Sequence, residues 1–332
     1  MKHIGKSYDK VDAKGILSGK PSYTGDFVPK DALIIKVLRS PHAQAKIKSI
    51  DTSKAKLIPG VEAIFTYEDV PNTRFTLAGQ TYPEPSAYDA LILDPVVRYV
   101  GDEVALVVAK DEATALKAMP LIKVEYEVQK PVLDLRTAMD HETVVHPEDD
   151  ILNHIPVGQD YKRNICVSYH KRVGDIEGEL AKCDYVVEGT YFDQATRQSA
   201  MESFQSFGYI DHLGRIVIVS STQIVFHVRR HIARALGIPA SKIRVIKPRI
   251  GGGFGSKQTA CTELMTAFVT WKLQKPCYLL YDRTEAQTCS TTRHAREWYI
   301  RVGATKDGII QVIDMDSITD AGAHATHCFT TT

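Results

Sequence analysis

The alternation of apolar and polar positions over the first 131 residues predicts a small mixed domain of strands and one helix. Short apolar runs bounded by turn residues are typical of strands. Asp111 has the side chain of a helix N-cap and precedes the apolar positions of a helix through Ala118. The predicted strands are Leu33–Leu38, Val61–Tyr67, Val104–Ala109 and Leu121–Tyr126.

A polar segment follows this block and predicts a linker. It contains Pro147, Pro156 and the pair Asp149 and Asp150. It shows neither the apolar spacing of a helix nor the alternation of a strand. We therefore divide the chain into a first domain over 16–131, a linker over 132–160, and an incomplete second domain over 161–332.

The second block repeats the mixture of strands and helices. Val225, Val228, Ile232 and Leu236 mark one helix face, which Gly237 closes. Late in the chain, a turn at residues 306–308 separates two strand patterns and predicts a hairpin. The predicted strands are Asp184–Tyr191, Phe207–Asp211, Arg215–Val219, Ile243–Ile246, Glu297–Val302 and Ile309–Asp316.

A glycine-rich run, Gly251-Gly252-Gly253-Phe254-Gly255-Ser256-Lys257-Gln258, follows the strand that ends at Ile246. Apolar positions after it predict a helix over Gln258–Lys272. Glycines allow close backbone approach, and a helix start attracts anions, so the pattern favours an anionic cofactor site. The spacing fits neither the dinucleotide fingerprint nor the P-loop. A simple tight turn is the alternative.

Gln223 follows another predicted strand, at the kind of edge where ligand sites of α/β layers gather. Its amide both donates and accepts hydrogen bonds, which suits a cofactor oxo group or the edge of a substrate. A surface glutamine that caps a turn is the alternative. For Glu202, we expect a carboxylate that bridges backbone N–H groups rather than a catalytic base.

Composition excludes several classes of partner. The chain of 332 residues has a formal net charge of +1, which gives no reason to expect a nucleic acid or an anionic membrane as partner. No run approaches the roughly 20 apolar residues of a membrane span. The first residues lack the apolar core of a secretory signal.

Six scattered cysteines, with no CxxC spacing, support neither a zinc ribbon nor an iron–sulfur cluster in this chain. They fit reduced thiols, and we expect a cytoplasmic protein. His227 and His231 are four residues apart on one predicted helix, the spacing of a metal pair. The arginines at 229 and 230 lie between them and disfavour a cation there.

Many short motifs in order resemble the molybdenum hydroxylases, and most closely the molybdenum-binding subunit of bacterial xanthine dehydrogenases. The resemblance covers nearly the whole chain. The motifs are Ile4-Gly5-Lys6-Ser7, Arg39-Ser40-Pro41-His42, Pro59-Gly60-Val61, Glu68-Asp69-Val70-Pro71, Val100-Gly101-Asp102-Glu103-Val104-Ala105, Met201-Glu202-Ser203, Ser221-Thr222-Gln223, Val228-Arg229-Arg230, Gly251 to Gln258, and Asp320-Ala321-Gly322-Ala323.

The resemblance implies an α+β fold, with an aldehyde oxidase/xanthine dehydrogenase a/b hammerhead domain before the first part of a molybdopterin-binding α/β domain. It implies a molybdenum–molybdopterin cofactor, in the plain or the cytosine dinucleotide form. Gln223, Gly253, Phe254 and Gly255 would contact this cofactor, with Gln223 and Phe254 beside the metal. Gln258 would contact the substrate, at a position that is glutamate in animal xanthine oxidases.

The implied activity is purine hydroxylation, in which hypoxanthine or xanthine is oxidised with water as the oxygen source. FAD and [2Fe–2S] clusters would reside on partner subunits, and a second molybdopterin subunit is a further candidate partner. The family's general-base glutamate lies outside this chain, so we expect the isolated chain to be inactive. A nicotinate or aldehyde hydroxylase subunit, and a catalytically inactive truncated or assembly subunit, are the alternatives.

Overall fold

The fold is known from a computed structural model, which describes residues 3–79 and 81–331. The strands are β1 (Leu33–Arg39), β2 (Ala45–Asp51), β3 (Val61–Phe65), β4 (Val96–Val97), β5 (Glu103–Ala109), β6 (Lys123–Val128), β7 (Tyr185–Asp193), β8 (Gln205–Ile210), β9 (Ile216–Ser220), β10 (Ile243–Ile246), β11 (Cys277–Leu280), β12 (Arg296–Ala304) and β13 (Ile310–Thr319). The helices are α1 (Ala13–Leu17), α2 (Ser53–Lys56), α3 (Glu112–Ala118), α4 (Leu135–Ala138), α5 (Ile176–Leu180), α6 (Val225–Leu236), α7 (Glu263–Leu273), α8 (Arg283–Thr288) and α9 (Cys328–Thr331).

One seven-stranded sheet joins the two sequence blocks, in the order β10-β9-β8-β11-β1-β5-β3. The junction is the parallel pair of β1 with β11, in which Leu33 lies opposite Cys277. The backbone N–H of Leu33 also donates to the carbonyl of Pro276. The first and second blocks are therefore held together by main-chain hydrogen bonds.

Strand β5 shows how this sheet divides the core. Successive side chains of a strand point to opposite faces. Leu106 and Val108 pack with α6 and α7 on one face, whereas Ala105, Val107 and Ala109 pack with α2 and α3 on the other. The apolar run from Val104 to Ala109 thus lies between two layers, as expected for a strand covered on both sides.

Two smaller antiparallel sheets complete the fold. One has the order β4-β2-β6, and the other has the order β13-β12-β7. Most of β7 is exposed, including its apolar residues Val186 and Val187. The described residues form no helix long and apolar enough to cross a membrane.

The predicted α+β class is confirmed, and most predicted strands are present with ends shifted by a few residues. Asp111 caps α3 by accepting from the backbone N–H of Thr114. Gly237 ends α6 in the left-handed region, at φ 65°. Gly308 occupies the hairpin turn between β12 and β13 at φ 80°, as its lack of a Cβ allows.

One helix prediction is wrong at its start. Ser256–Gln258 forms a short 3-10 turn, and α7 begins only at Glu263. Strands β2, β4 and β11 were not predicted; β2 is mostly polar and β4 has only two residues. The segment 132–160 is polar as predicted but packs on the first block, where Arg98 Nε donates to the carbonyl of Val145.

Candidate functional site

Two neighbouring parallel strands place Gln223 and the glycine-rich loop at the same edge of the large sheet. Strands β9 and β10 pair in parallel, from Ile216 opposite Ile243 onward. Gln223 lies three residues beyond β9, and residues 251–255 follow β10 after a short connection. Ligand sites of such sheets gather beyond the carboxyl ends of the strands.

The loop conformation requires glycine at particular positions. Gly252 and Gly255 have φ of 103° and 90°, values that side-chain-bearing residues rarely adopt. A Cβ at Gly253 would lie 2.6 Å from Oε1 of Gln223 and would therefore displace that side chain. Ser256 stabilises the turn by donating from its backbone N–H and its hydroxyl to the carbonyl of Gly253, at 2.9 and 2.7 Å.

Gln223 is joined to this loop by its main chain and its side chain. Its backbone N–H donates to the carbonyl of Lys257 at 2.8 Å. Its Oε1 accepts from the backbone N–H of Gly255 at 3.2 Å. The side chain is exposed, so the donor end of the amide is what Gln223 can offer to a ligand. The structure thus brings together Gln223, Gly253 and Gly255.

Phe254 lies at the tip of the loop, with φ 50° and a side chain that is 75% exposed. The left-handed region is unfavourable for the backbone of an aromatic residue. Exposure of the ring is also unfavourable unless another group covers it. Met201 and Phe226 are also exposed apolar residues, on segments next to Glu202 and Gln223 in the chain. Phe254 therefore offers apolar contact next to Gly255, whose N–H contacts the Gln223 amide.

Glu202 fixes the base of the loop. Its backbone N–H donates to the carbonyl of Gly251 at 3.0 Å, and its Oε2 accepts from the backbone N–H of Gly251 at 2.6 Å. The same oxygen lies 2.9 Å from Nζ of Lys257. Burial lowers the pKa of the Lys257 ammonium, and the Glu202 carboxylate opposes that effect. The expectation that Glu202 binds backbone N–H groups is confirmed for Gly251.

Further buried groups hold the strands in place below the site. Gln205 donates to Oε1 of Glu202 at 2.8 Å and accepts from the hydroxyl of Tyr278 at 2.6 Å. Ser220, the last residue of β9, donates to Glu263 at 2.6 Å. Burial raises the pKa of the Glu263 carboxyl group. Ser220 thus fixes the end of β9 that precedes Gln223, and Gln205 holds the Glu202 carboxylate that contacts the loop.

Gln258 belongs to the same turn through its backbone. Its N–H donates to the carbonyl of Gly255 at 3.1 Å, and its carbonyl lies 3.1 Å from Nε2 of His327. Gln258 directly follows Lys257, whose carbonyl receives the Gln223 N–H. Its position relative to Gln223 is therefore fixed by the main chain, and its role toward a substrate remains a prediction.

The anion-binding argument from the helix N-terminus is wrong for this loop. Helix α7 begins eight residues after Gly255, and the intervening 3-10 turn is too short to provide a comparable dipole. The backbone N–H groups at positions 252–254 are the ones left for a ligand, because those of Gly251, Gly255, Ser256 and Gln258 already donate within the described part of the chain. The structural role of Lys257 is not predictable from the sequence. A lysine in a glycine-rich loop is usually exposed to solvent, whereas the side chain of Lys257 is buried.

A cavity of about 270 Å³ lies at the other side of the 259–265 segment. Tyr281 and Arg98 line it, together with Asp320–His324 and Thr259. Gln223 and the glycine-rich loop are not among its described lining residues. Thr259 is the residue after Gln258, so the cavity approaches the candidate site without including it.

Two known protein domain families match the chain, one in each part. Residues 157–332 match the molybdopterin cofactor-binding domain. Residues 18–130 match the a/b hammerhead domain of aldehyde oxidase and xanthine dehydrogenase.

Individual proteins agree with these family matches. The chain is 38% identical to a probable hypoxanthine oxidase of Escherichia coli K12, over 98% of this chain and 37% of that protein. It is 30% identical to the nicotinate dehydrogenase large molybdopterin subunit of Eubacterium barkeri, over 98% of this chain and 72% of that protein. The aldehyde oxidoreductase of Desulfovibrio gigas has a similar structure, with a TM-score of 0.79 and 25% identity over 95% of this chain and 34% of that one. The chain spans about two fifths of the length of the first curated relatives it matches.

Proposed function

We propose that this chain, which belongs to the aldehyde oxidase and xanthine dehydrogenase family of molybdenum hydroxylases, provides the molybdenum-binding part of a purine hydroxylase. The substrate would be hypoxanthine or xanthine, with water as the source of oxygen. The 38% identity with a probable hypoxanthine oxidase supports the substrate class. The observation that carries the proposal is the contact of the Gln223 amide with the glycine-rich loop at one sheet edge.

The residues at this edge fit a molybdenum–pterin group. Gln223 presents a donor to an oxo ligand, and Gly253 lacks the Cβ that would displace the Gln223 amide. Gly252 and Gly255 expose backbone for close approach. When bound, the group supplies the two-electron acceptor and the place where water is activated. The proposal covers both the plain pterin and its cytosine dinucleotide form.

The residues of this chain then have positioning roles. Gln223 would donate a hydrogen bond to the group, and the exposed ring of Phe254 would offer it apolar contact and exclude bulk water. The Glu202–Lys257 pair keeps the loop in one conformation, because its hydrogen bonds restrain Gly251 as well as the segment that receives Gln223. A rigid loop preserves the geometry on which orientation of a substrate depends.

Gln258 is the residue of this chain that we assign to substrate contact. A neutral amide pairs with a purine edge as both donor and acceptor, but it offers no carboxylate. For that reason a nicotinate or aldehyde hydroxylase is the second candidate. The similarity to a nicotinate dehydrogenase large molybdopterin subunit favours it, with 72% of that relative covered.

Partner proteins complete the proposed assembly. Family membership leads us to place FAD and the [2Fe–2S] clusters on partner subunits, and to include a second molybdopterin polypeptide as a candidate partner. The exposed apolar side chain of Phe254 at the tip of the loop supports burial of that surface against another polypeptide. An assembly subunit without catalytic residues is the third candidate.

Turnover in oxygen-18 water distinguishes these candidates. The protein is purified with its natural partners, and hypoxanthine, xanthine, nicotinate and an aldehyde are supplied separately. We expect labelled oxygen in the purine product. Gln223→Ala should lower kcat at least tenfold while the assembly stays intact, whereas Gln194→Ala, which changes an exposed glutamine elsewhere, should match the wild type. An unchanged kcat for Gln223→Ala would favour the assembly role, and labelled product from nicotinate alone would favour the second candidate.

A further inference from the structure

Three metal-ligand side chains from distant parts of the sequence converge below the large cavity. They are Asp89 from the first block, His146 from the segment between the blocks, and His324 from the loop after β13. One ligand atom from each lies within 4.8 Å of the others. Nδ1 of His324 is 3.4 Å from Oδ1 of Asp89. Two ligands of a tetrahedral zinc ion with bonds of 2.0–2.1 Å are about 3.4 Å apart, so the spacing is close to that of a metal site.

One polar atom of each of these side chains is buried without a hydrogen bond. These atoms are Oδ1 of Asp89, Nδ1 of His146 and Nδ1 of His324, although Nδ1 of His324 contacts Oδ1 of Asp89 and Nδ1 of His146 lies 3.5 Å from Oε2 of Glu148. Buried polar atoms without partners are uncommon in folded proteins, and three of them in one cluster need an explanation. A bound cation would satisfy all three at once.

The second ring nitrogen of His146 and the second carboxylate oxygen of Asp89 already make hydrogen bonds to the backbone. Nε2 of His146 lies 2.7 Å from the carbonyl of Ala323, and a ring N–H must be the donor there. Nδ1 of His146 then carries a lone pair, because a neutral imidazole has one protonated nitrogen. Oδ2 of Asp89 accepts from the backbone N–H of Ala325 at 2.7 Å. Ligating histidines and carboxylates commonly have such supporting hydrogen bonds.

The charges near the cluster favour a cation. The guanidinium of Arg98 is paired with both Asp94 and Glu148. Oε2 of Glu148 lies 3.5 Å from Nδ1 of His146 and also lacks a hydrogen-bond partner. The Asp89 carboxylate is therefore not neutralised by a lysine or an arginine among its described contacts.

We propose that Asp89, His146 and His324 bind one divalent first-row metal ion, with zinc as the ion that their ligand set fits best. Two imidazoles and one carboxylate are an established ligand set for zinc, and they also suit iron(II). His324 lines the cavity, so a water molecule from that side would occupy the fourth position. The ion would tie the first block, the intervening segment and the loop after β13 together.

Zinc binding to the purified protein, together with any natural partners, tests this proposal. After removal of metal with a chelator, zinc is added back and counted per chain, and cobalt(II) is added to a second sample to record its visible absorption. We expect one zinc per chain, and we expect His146→Gln and His324→Gln each to weaken binding at least tenfold. His170→Gln changes an exposed histidine and should bind as the wild type does.

Circular dichroism of each variant shows whether it is folded, and Asp89→Asn provides a third ligand change of nearly constant volume. Cys166→Ser controls for capture of zinc by a thiol. Equal binding by wild type, His146→Gln and His324→Gln would overturn the proposal. So would loss of binding in Cys166→Ser alone, or failure of the wild type to bind zinc. The cluster would then be a simple ion pair of Asp89 with His324.

Discussion

Glu202 and Lys257 form a buried ion pair of 2.9 Å between the turn before β8 and the end of the glycine-rich loop. The same carboxylate accepts from the backbone N–H of Gly251, so one side chain restrains both ends of the loop. The Lys257 carbonyl in turn receives the backbone N–H of Gln223. Glu202, which is remote in sequence from the loop, thus helps to position the glycine-rich loop relative to Gln223.

Removing one charge of this pair should destabilise the protein strongly. Glu202→Ala leaves a buried ammonium without a partner, which costs about 3–5 kcal/mol in free energy of unfolding. The double variant Glu202→Gln/Lys257→Met should recover most of that loss, because neither charge remains. Chemical denaturation measures both values. Glu179→Gln breaks an exposed pair with Lys182 and should change stability by no more than about 1 kcal/mol. A double variant less stable than Glu202→Ala would contradict this account.

The shared sheet predicts that the two sequence blocks unfold together. Leu279 in β11 is fully buried, and Leu279→Ala should cost about 2–5 kcal/mol. Hydrogen exchange should then accelerate in β5 of the first block as well as in β9 of the second. Leu213→Ala, at an exposed turn position, is the matched control. Retained protection of β5 with loss of protection in β9 would show that the blocks unfold separately.

Local elements were predictable from sequence where a residue acts on its own neighbours. Asp111 signals the start of α3, Gly237 signals the end of α6, and both roles depend on a few adjacent residues. The meeting of Gln223 with the glycine-rich loop was also foreseeable, because both follow apolar strands and the family resemblance places them together. Parallel pairing of β9 with β10 gives that expectation a structural basis.

Features that depend on distant residues were not predictable from the pattern. The start of α7 was placed too early, because apolar periodicity gives no sign of the 3-10 turn before it. The pairing of β1 with β11 joins residues more than 240 positions apart. The cluster of Asp89, His146 and His324 has no sequence spacing that would identify it, whereas the regularly spaced His227 and His231 are not part of it.

Acid should lower the free energy of unfolding, because the folded state is stabilised by the ionised Glu84 carboxylate. Burial alone raises the pKa of this carboxyl group, but the nearby ring of His231, 3.6 Å away, and hydrogen bonds from Arg230 and Tyr88 outweigh burial and lower the pKa to about 2. A depressed pKa stabilises the folded state above the unfolded value of 4.5, and that stability is lost as pH falls toward 2.

Thermal unfolding between pH 6 and pH 2 measures this dependence. Glu84→Gln should be less stable than wild type at pH 6, and the difference should shrink through the window from about pH 5 to pH 2, where the wild-type carboxylate gains its proton. Glu188→Gln changes an exposed carboxylate and serves as the control. A constant difference between wild type and Glu84→Gln over the whole range would contradict the assignment.

Molybdenum and pterin content of the purified protein, isolated with its natural partners, tests most directly the claim that Gln223 and the glycine-rich loop hold the cofactor. Gly253→Ala places a Cβ 2.6 Å from Oε1 of Gln223, and Gly15→Ala adds a methyl group in a helix where the nearest atom is 3.8 Å away. We predict about one molybdenum and one pterin per chain in the wild type and in Gly15→Ala, and at least a severalfold loss of both in Gly253→Ala. Full molybdenum and pterin content in a folded Gly253→Ala protein, or their absence from the wild type, would contradict the account.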